Sequence, residues 1–465
     1  MKKFLFFAIF CLGIGAMKGQ YTVLHNFNGT SKDGRYPFGE LTLCGNKFYG
    51  MTHNGGLFDL GCIFCIDTNG GTFNDILDFE VSNGAYPFGS LLASNGVIYG
   101  MTSNGGAHNY GNVFSIDTNG SNFKDLLDFD SANGATPEGS LTKVNGILYG
   151  MTSSGGSYDA GCIFSIDTNG NNYKHLLDFD AYNGWGPTGS LISSGNKLFG
   201  ISWRGGYPFN DGCIFSIDTN GTYYKRLYNF YPYTPEGYYS LTISDGKLYG
   251  MTRRKYGDGV IFSIDSNGNN FKNIFFFNSF NGAEPYGSLI IFGGTLYGMT
   301  ETGAKGYGGI FSIDTNGINF TRIYTFDSIH GKNPYGSLLL SGTRFFGMTN
   351  SGGIYNNGVI FSVDTNMKDT STLSINYLSH LNYSITIYPN PSTGIFTLQT
   401  KNGELRDKSI EVFNVLGERV LKQILRSAQD DNLINLSSQP NGVYFYRIIA
   451  EDGSLIGNGK LIIQK

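Results

Sequence analysis

Hydrophobic and polar positions along this chain follow a pattern that returns about every fifty residues. Its landmark is the phrase Tyr/Phe-Gly-Met-Thr or a close variant, whose glycine falls at positions 50, 100, 150, 200, 250, 298 and 347. Each copy contains four short segments rich in aromatic and β-branched residues, in the second copy Ser90–Ala93, Val97–Thr102, Asn112–Asp117 and Phe123–Phe129. Such segments are typical of β strands. The Asn-Gly pairs between them predict tight hairpins.

Four-stranded repeats of this length predict the blades of a β-propeller. The seventh copy stops at Asp364–Met367 without a fourth strand, while an orphan strand at Tyr21–Phe27 matches Phe123–Phe129 in pattern. An N-terminal strand can complete the last blade and so remove two unpaired sheet edges. We therefore predict an all-β, seven-bladed β-propeller over residues 20–366. Its closing blade would take three strands from the C-terminal end of the array and one from the N-terminus.

The repeats are flanked by segments of a different character. Residues 1–19 join two early lysines to a short apolar run, which is typical of a signal peptide and too short for a permanent membrane span. No later segment stays apolar for about 18 residues, so no transmembrane segment is expected in the mature chain. Residues 367–384 are polar and predict a linker. Residues 385–465 contain six or seven short strand-like segments, which predict a small β-sandwich domain.

Composition narrows the range of functions. Glycine supplies 68 of 465 residues and aromatic residues 15%, a mixture too aromatic for disorder and too rich in glycine for a helical protein. The formal net charge is −4 and no basic stripe is present, which argues against nucleic acid as a partner. Cys62, Cys162 and Cys213 share one repeat position with Val260 and Gly309. This interchange favours packed small residues over disulfides or metal ligands.

Three phrases near the C-terminus carry a family resemblance. They are YPNPSTGIF at residues 388–396, VFNVLGE at 412–418 and LSSQPNGVYFYRI at 436–448, followed by a terminal Gly-Lys-Leu strand. Together they closely resemble the type A sorting domain of the type IX secretion system. The resemblance implies that residues 385–465 are read by the type IX secretion machinery. It also implies that the protein is secreted or held on the outer cell surface.

The repeats resemble a second family. The phrases LYGMT, IFSID-TNG and GSL over residues 21–366 are similar to the tandem Gloeobacter–Verrucomicrobia repeats of large exported bacterial proteins. That resemblance implies the propeller fold and export, and it implies no activity.

Candidate binding residues lie where a copy departs from the repeat. In a propeller, the loops between strands four and one and between strands two and three share one face, and here these are the long loops. Unusual aromatic and arginine residues gather in them around the fourth and fifth copies, where they could stack on sugar rings or grip acidic groups. The predicted ligand-binding residues are Trp185, Trp203, Arg204, Tyr207, Tyr238, Arg253 and Arg254. The alternative is that repeats drift and these residues fill a wider loop interface.

Motifs for chemistry are lacking. The sequence has no nucleophile elbow, no phosphate-binding glycine pattern, no recurring carboxylate pair and no metal-ligand spacing among its six histidines. We therefore predict no catalytic residue, metal or cofactor, and a monomer that binds extracellular polysaccharide or a surface partner. The alternative is a polysaccharide-active enzyme, a glycosidase or lyase, with its site at the central mouth of the propeller. A purely structural surface protein is a third possibility.

Overall fold

The computed structural model describes residues 21–208, 210–230, 240–253, 259–303, 306–367, 385–400, 408–414, 418–425, 433–449 and 455–465. The chain divides into two compact units, Met1–Asp369 and Thr370–Lys465. Every regular element in the described ranges is a β strand, so the predicted all-β class is confirmed. No helix in these ranges is long and apolar enough to cross a membrane. The predicted signal peptide and residues 368–384 of the predicted linker lie outside the described residues.

The described part of the first unit folds into seven four-stranded antiparallel sheets, and six of them each follow chain order. The first contains β3 (Thr42–Cys44), β4 (Lys47–Thr52), β6 (Cys62–Asp67) and β7 (Phe73–Asp78), and two short strands, β2 (Gly34–Arg35) and β5 (Asn54–Gly55), pair separately. The second contains β8 (Leu92–Ser94), β9 (Val97–Thr102), β10 (Asn112–Asp117) and β11 (Lys124–Asp128). The third contains β12 (Thr142–Val144), β13 (Ile147–Thr152), β14 (Cys162–Asp167) and β15 (Lys174–Asp178).

The next three sheets repeat this order. The fourth contains β16 (Ile192–Ser194), β17 (Lys197–Ser202), β18 (Cys213–Asp218) and β19 (Lys225–Asn229). The fifth contains β20 (Thr242–Ser244), β21 (Lys247–Arg253), β22 (Gly259–Asp265) and β23 (Lys272–Phe276). The sixth contains β24 (Ala283–Phe292), β25 (Thr295–Thr302), β26 (Gly309–Asp314) and β27 (Thr321–Thr325).

The seventh sheet joins the two ends of the array. It consists of β28 (Leu339–Ser341), β29 (Arg344–Thr349), β30 (Val359–Asp364) and β1 (Tyr21–Asn26). Strand β1 lies antiparallel to β30, with Tyr21 opposite Val363. The Tyr21 ring stacks on Tyr324 of the sixth sheet at 3.9 Å between centroids. The N-terminal strand therefore supplies the fourth strand of the sheet formed by the last repeat.

Phenylalanine rings fill the space within and between the sheets. In the second repeat, Phe114 on β10 and Phe129 directly after β11 are both fully buried. The Phe114 ring crosses the backbone of Gly100, where an added Cβ would lie 2.4 Å from Cζ of that ring. The glycine of the Gly-Met-Thr phrase is therefore required by packing. Equivalent phenylalanines recur in the other repeats and give neighbouring sheets shared hydrophobic clusters.

The second unit contains two sheets around one core. Three strands form the first, β31 (Ile385–Tyr388), β32 (Ile395–Thr400) and β35 (Leu433–Asn435). Four form the second, β33 (Lys408–Phe413), β34 (Arg419–Leu425), β36 (Gly442–Ile449) and β37 (Leu455–Ile463). Apolar side chains from both sheets share one buried cluster, for example Phe396 and Leu398 with Ile410 and Ile448. This is the arrangement of a small sandwich.

Candidate functional site

The first-strand edges of neighbouring sheets are joined by a recurring hydrogen bond. A backbone amide on one sheet donates to a serine hydroxyl on the next, at 2.7–2.8 Å. The pairs are Glu40 to Ser90, Ser90 to Ser140, Ser140 to Ser190, Ser190 to Ser240, and Ser288 to Ser337. A Cβ added to Gly139 would lie 2.1 Å from the carbonyl oxygen of Gly189, and one on Gly336 would lie 2.2 Å from that of Gly39. Only glycine permits this approach of the backbones.

These edges surround a cavity of about 230 Å³, called the central cavity below. Its wall includes one equivalent position of every repeat, which is serine in six repeats and glutamate in one: Glu40, Ser90, Ser140, Ser190, Ser240, Ser288 and Ser337. The position two residues earlier also contributes to the lining, with Phe38, Phe88, Glu138, Thr188 and Tyr335. All seven repeats contribute to this one space.

Two carboxyl groups line the central cavity. The Glu40 side chain is partly exposed to water, but many protein atoms lie around its carboxyl group. This burial raises its pKa to about 7, although a hydrogen bond with Ser337 opposes the shift. Burial also raises the pKa of Glu138 to about 7. Glu138 has no hydrogen-bond partner among the described residues. Both groups are therefore divided between neutral and charged forms near pH 7.

One position near the cavity has a different residue type in most repeats, while the strand and the glycine before it recur in every repeat. The residue that follows the Gly-Met-Thr phrase or its variant differs in most copies: His53, Ser103, Ser153, Trp203, Arg253, Glu301 and Asn350. Members of this set contact the aromatic residues of the cavity lining. The His53 ring lies 4.5 Å from that of Phe88, and the Tyr335 hydroxyl donates to Glu301 at 2.9 Å. The repeat thus offers one variable position per copy beside the cavity.

An ionic network spans the fifth to seventh repeats at this position. Arg253 donates from Nη2 to Oε1 of Glu284 at 2.8 Å. Burial raises the pKa of Glu301, and the neighbouring charge of Glu284 adds to the effect. The rings of Tyr286 and Tyr335 meet edge to face at 4.8 Å. Arg253, a predicted ligand-binding residue, therefore has an internal ion pair.

An aromatic cluster adjoins this network. The Phe38 ring lies 5.0 Å from Phe88 and stacks on Tyr335 at 5.1 Å. His53 packs against Phe38 at 5.2 Å and Tyr86 at 5.1 Å, and burial lowers its pKa. A neutral imidazole and these rings therefore give this part of the cavity lining and its surroundings an apolar character.

The predicted loop cluster of the fourth repeat forms a second feature. Trp185 and Arg204 exchange backbone hydrogen bonds of 2.7 and 2.9 Å across the two long loops. The Arg204 guanidinium lies 4.1 Å from the centre of the Trp203 ring, and the Tyr207 ring lies 5.7 Å from that of Tyr182. We call Tyr182, Trp185, Trp203, Arg204 and Tyr207 the aromatic patch. Exposed fractions are 66% for Tyr182, 42% for Trp185 and 65% for Tyr207.

The structure brings together four of the seven predicted ligand-binding residues: Trp185, Trp203, Arg204 and Tyr207. Arg253 belongs to the network beside the central cavity, while Tyr238 and Arg254 lie outside the described residues. Sequence reasoning missed Glu40 and Glu138. A signal for Glu40 was available, because the other six copies have serine at its position. No group of three or more His, Cys, Asp or Glu side chains within the described ranges is arranged to hold a metal ion.

Tandem four-stranded sheets whose first strands converge on one cavity define a propeller-like repeat protein. The chain belongs to the Gloeobacter/Verrucomicrobia repeat family, whose model matches residues 12–161, 93–254, 139–303 and 234–405. Residues 386–464 match the secretion system C-terminal sorting domain. Both predicted resemblances are confirmed. The sorting domain indicates export, with secretion or attachment to the cell surface as the destination.

The chain is similar to several solved structures at low sequence identity. The Niastella koreensis GH74 enzyme matches with a TM-score of 0.52 at 11% identity, over 95% of this chain and 73% of that one. An oligogalacturonate lyase in complex with manganese matches with a TM-score of 0.47 at 10% identity, over 75% and 94%. A Mycobacterium tuberculosis puromycin-hydrolyzing peptidase matches with a TM-score of 0.49 at 11% identity, over 78% and 57%. No curated protein matches the chain in sequence. At this identity the likeness to the Niastella koreensis enzyme concerns the fold alone.

Proposed function

We propose that this protein is an exported, non-catalytic propeller that binds an extracellular polysaccharide through the aromatic patch of its fourth repeat. The observation that carries the proposal is the exposure of three aromatic rings, Tyr182, Trp185 and Tyr207, on two loops fixed to each other by backbone hydrogen bonds. Exposed aromatic residues on a rigid scaffold mark interaction surfaces. Their flat apolar faces suit the C–H faces of sugar rings, while polar edges reach hydroxyl groups.

The proposal includes a closed ring of seven blades. Hydrogen bonds between successive first-strand edges, the Thr242 hydroxyl bond to the Leu289 carbonyl and the approach of Gly336 to Gly39 support contact between each sheet and the next. Strand β1 would act as the closing strand. We further propose a signal peptide at 1–19, a propeller at 20–366, a linker at 367–384 and a sorting domain at 385–465. The propeller would act as a monomer.

A glycan array tests the binding function directly. The full secreted chain is compared with a Trp185→Ala variant and with a matched Tyr158→Ala control. Tyr158 lies in the loop of the third repeat that corresponds to the loop of Tyr207, is 62% exposed and is outside the patch. We expect loss of Trp185 to weaken glycan binding by about tenfold or more, as for buried aromatic anchors, and the control to bind normally. Equal loss in both variants, or no glycan binding, would refute the proposal.

A polysaccharide-active enzyme is the second candidate. It is favoured by the carboxyls of Glu40 and Glu138, because a pKa of about 7 suits a general acid or base at neutral pH. The test measures new reducing or unsaturated ends in every glycan that the array identifies. Turnover that Glu138→Gln abolishes, while binding persists, would establish the enzyme. Binding without any turnover would leave the non-catalytic function.

A further inference from the structure

The central cavity is a separate feature from the aromatic patch, and its charge is of one sign. Among its described lining residues, Glu40 and Glu138 are acids that are partly ionised near pH 7, and lysine, arginine and histidine are absent. The nearby Arg253 is engaged by Glu284 at 2.8 Å, and Glu301 adds a further carboxyl in contact with the lining residue Tyr335. A narrow cleft with walls of low dielectric focuses such a field. The cavity therefore favours a positively charged guest.

The wall also offers aromatic faces. Phe38 and Phe88 line the cavity with ring centroids 5.0 Å apart, and the lining residue Tyr335 stacks on Phe38 at 5.1 Å. Aromatic faces attract ammonium groups within about 6 Å, and they do so more strongly when water is excluded. Carboxylates beside aromatic rings are a combination that recognises organic cations. An inorganic cation gains little from the rings.

The oxygen atoms of the lining suit a metal ion poorly, because only two side chains supply carboxyl groups. Calcium takes about six to eight oxygen atoms, and the other side-chain oxygens of the cavity are hydroxyls of serine, threonine and tyrosine. Five of those hydroxyls, including Ser90 and Ser140, already accept a backbone amide hydrogen bond. Glu138 has no described partner and can accept hydrogen bonds from an ammonium group. The volume of about 230 Å³ suits a small molecule rather than a chain segment.

We infer that the central cavity binds a small organic ammonium, such as the protonated amine of an amino sugar, with Glu138 and Glu40 as its counter-charges and Phe38 and Phe88 as its aromatic contacts. This site is distinct from the patch in the proposed function. It does not depend on polysaccharide binding there, and it does not depend on turnover.

Calorimetric titration of the full secreted chain tests the inference with matched ligands. Glucosamine carries the ammonium group, N-acetylglucosamine has the same ring without the charge, and calcium chloride supplies an inorganic cation. We expect glucosamine to bind at least about tenfold more tightly than N-acetylglucosamine, the lower end of the effect of a charged hydrogen bond. Excess calcium should not displace it. Equal binding of the two sugars, or displacement by calcium, would overturn the inference.

Variants locate the site. Glu138→Gln removes the charge and keeps the shape, so glucosamine binding should fall by about ten- to a hundredfold. Glu80→Gln, at an exposed loop position, is the matched control and should bind normally. Phe88→Leu removes a ring face and should weaken binding by about threefold or more. Unchanged binding in both cavity variants would overturn the inference. Trp185→Ala should leave glucosamine binding intact, which separates this result from failure of the proposed function.

Discussion

The backbone amide of Glu40 donates a hydrogen bond to the hydroxyl of Ser90 at 2.8 Å, one full repeat further along the chain. The same bond joins Ser90 to Ser140 at 2.7 Å. These contacts connect separate sheets and belong to none of them. The residues that line the cavity therefore also hold neighbouring repeats together.

Removal of one such hydroxyl should destabilise the first unit. In Ser140→Ala the amide of Ser90 loses its acceptor, and an unsatisfied amide in a partly buried site costs about 1–3 kcal/mol. We expect the free energy of unfolding in denaturant to fall by that amount. Ser121→Ala, in an exposed turn, is the control. Equal stability of the two variants would mean that the inter-sheet bond contributes nothing.

The N-terminal strand should matter as much as a strand inside the array. Phe27 follows β1 and Phe129 follows β11, both are fully buried, and each meets a phenylalanine ring at 5.3 Å, Phe64 and Phe164 respectively. Phe27→Ala and Phe129→Ala should each cost about 3–5 kcal/mol, because both leave a large cavity. Thermal unfolding of the pair measures this. A much milder effect at Phe27 would show that β1 is peripheral.

Stability should fall as the pH rises from about 4 to 7 because of paired carboxyls on β7. Burial, and then the charge of Asp78, raise the pKa of Asp75 to about 7, and Asp75 Oδ2 has no partner in the described structure. The unfolded state releases this proton at lower pH than the folded state does. The stability that the protonated Asp75 carboxyl contributes is therefore fully present below the pKa of this group in the unfolded state. It is lost as the pH rises through its pKa in the folded state.

A neutral side chain should remove this dependence. Asp75→Asn mimics the protonated carboxyl, so its unfolding midpoint should vary less between pH 4 and 7 than that of the unmodified chain. Asp245→Asn, at an exposed turn, should keep the original dependence. Identical pH profiles for all three proteins would contradict the pairing of Asp75 with Asp78. The corresponding Asp125 of the second repeat, with a pKa raised to about 6, allows the same test.

Glu411 should stabilise the sorting domain. Its buried carboxylate accepts from Arg419 at 2.9 Å and lies 2.8 Å from Arg447 and 3.5 Å from Lys422. Burial alone would raise the pKa of Glu411, but hydrogen bonds from Arg447 and Arg419 outweigh it and lower the pKa. Glu411→Gln leaves three cations without their anion. Because the arginines are half exposed, the cost should be about 1 kcal/mol.

The consequence for export can be measured as the fraction of protein recovered outside the cell. Glu411→Gln should lower that fraction, whereas Glu418→Gln, at an exposed position, should leave it unchanged. Export of both variants at the normal level would show that the ionic cluster is dispensable for recognition of this domain.

Strand positions were predictable because local sequence determines them. The strand predicted at Asn112–Asp117 is β10 to the residue, and that predicted at Val97–Thr102 is β9. The first strand was predicted at Ser90–Ala93 but begins at Leu92, because the amide of Ser90 bonds to the next repeat instead of its own sheet. That bond depends on a residue fifty positions away, which local patterns do not record.

Of the candidate site residues, too, those close in sequence could be predicted to lie together, and those from different repeats could not. Trp185 and Trp203 could be placed together because their loops belong to one repeat and leave the sheet on the same face. Glu40 and Glu138 come from different repeats, and only the convergence of all seven first strands gives them a common cavity. Single-residue departures such as glutamate for serine at position 40 are the trace that such a site leaves in a repeat sequence.

The pairing of β1 with β30 also affects the stability of truncated protein molecules. The Tyr21 hydroxyl donates to the carbonyl of His330, 309 positions later, so the first strand finds its partners only when nearly the whole array is present. A protein molecule that lacks its last repeats keeps an unpaired strand at its N-terminus and a sheet with an unpaired edge strand at its C-terminal end. Such edges invite aggregation and proteolysis. Intact molecules should therefore outlast truncated ones wherever proteases are present.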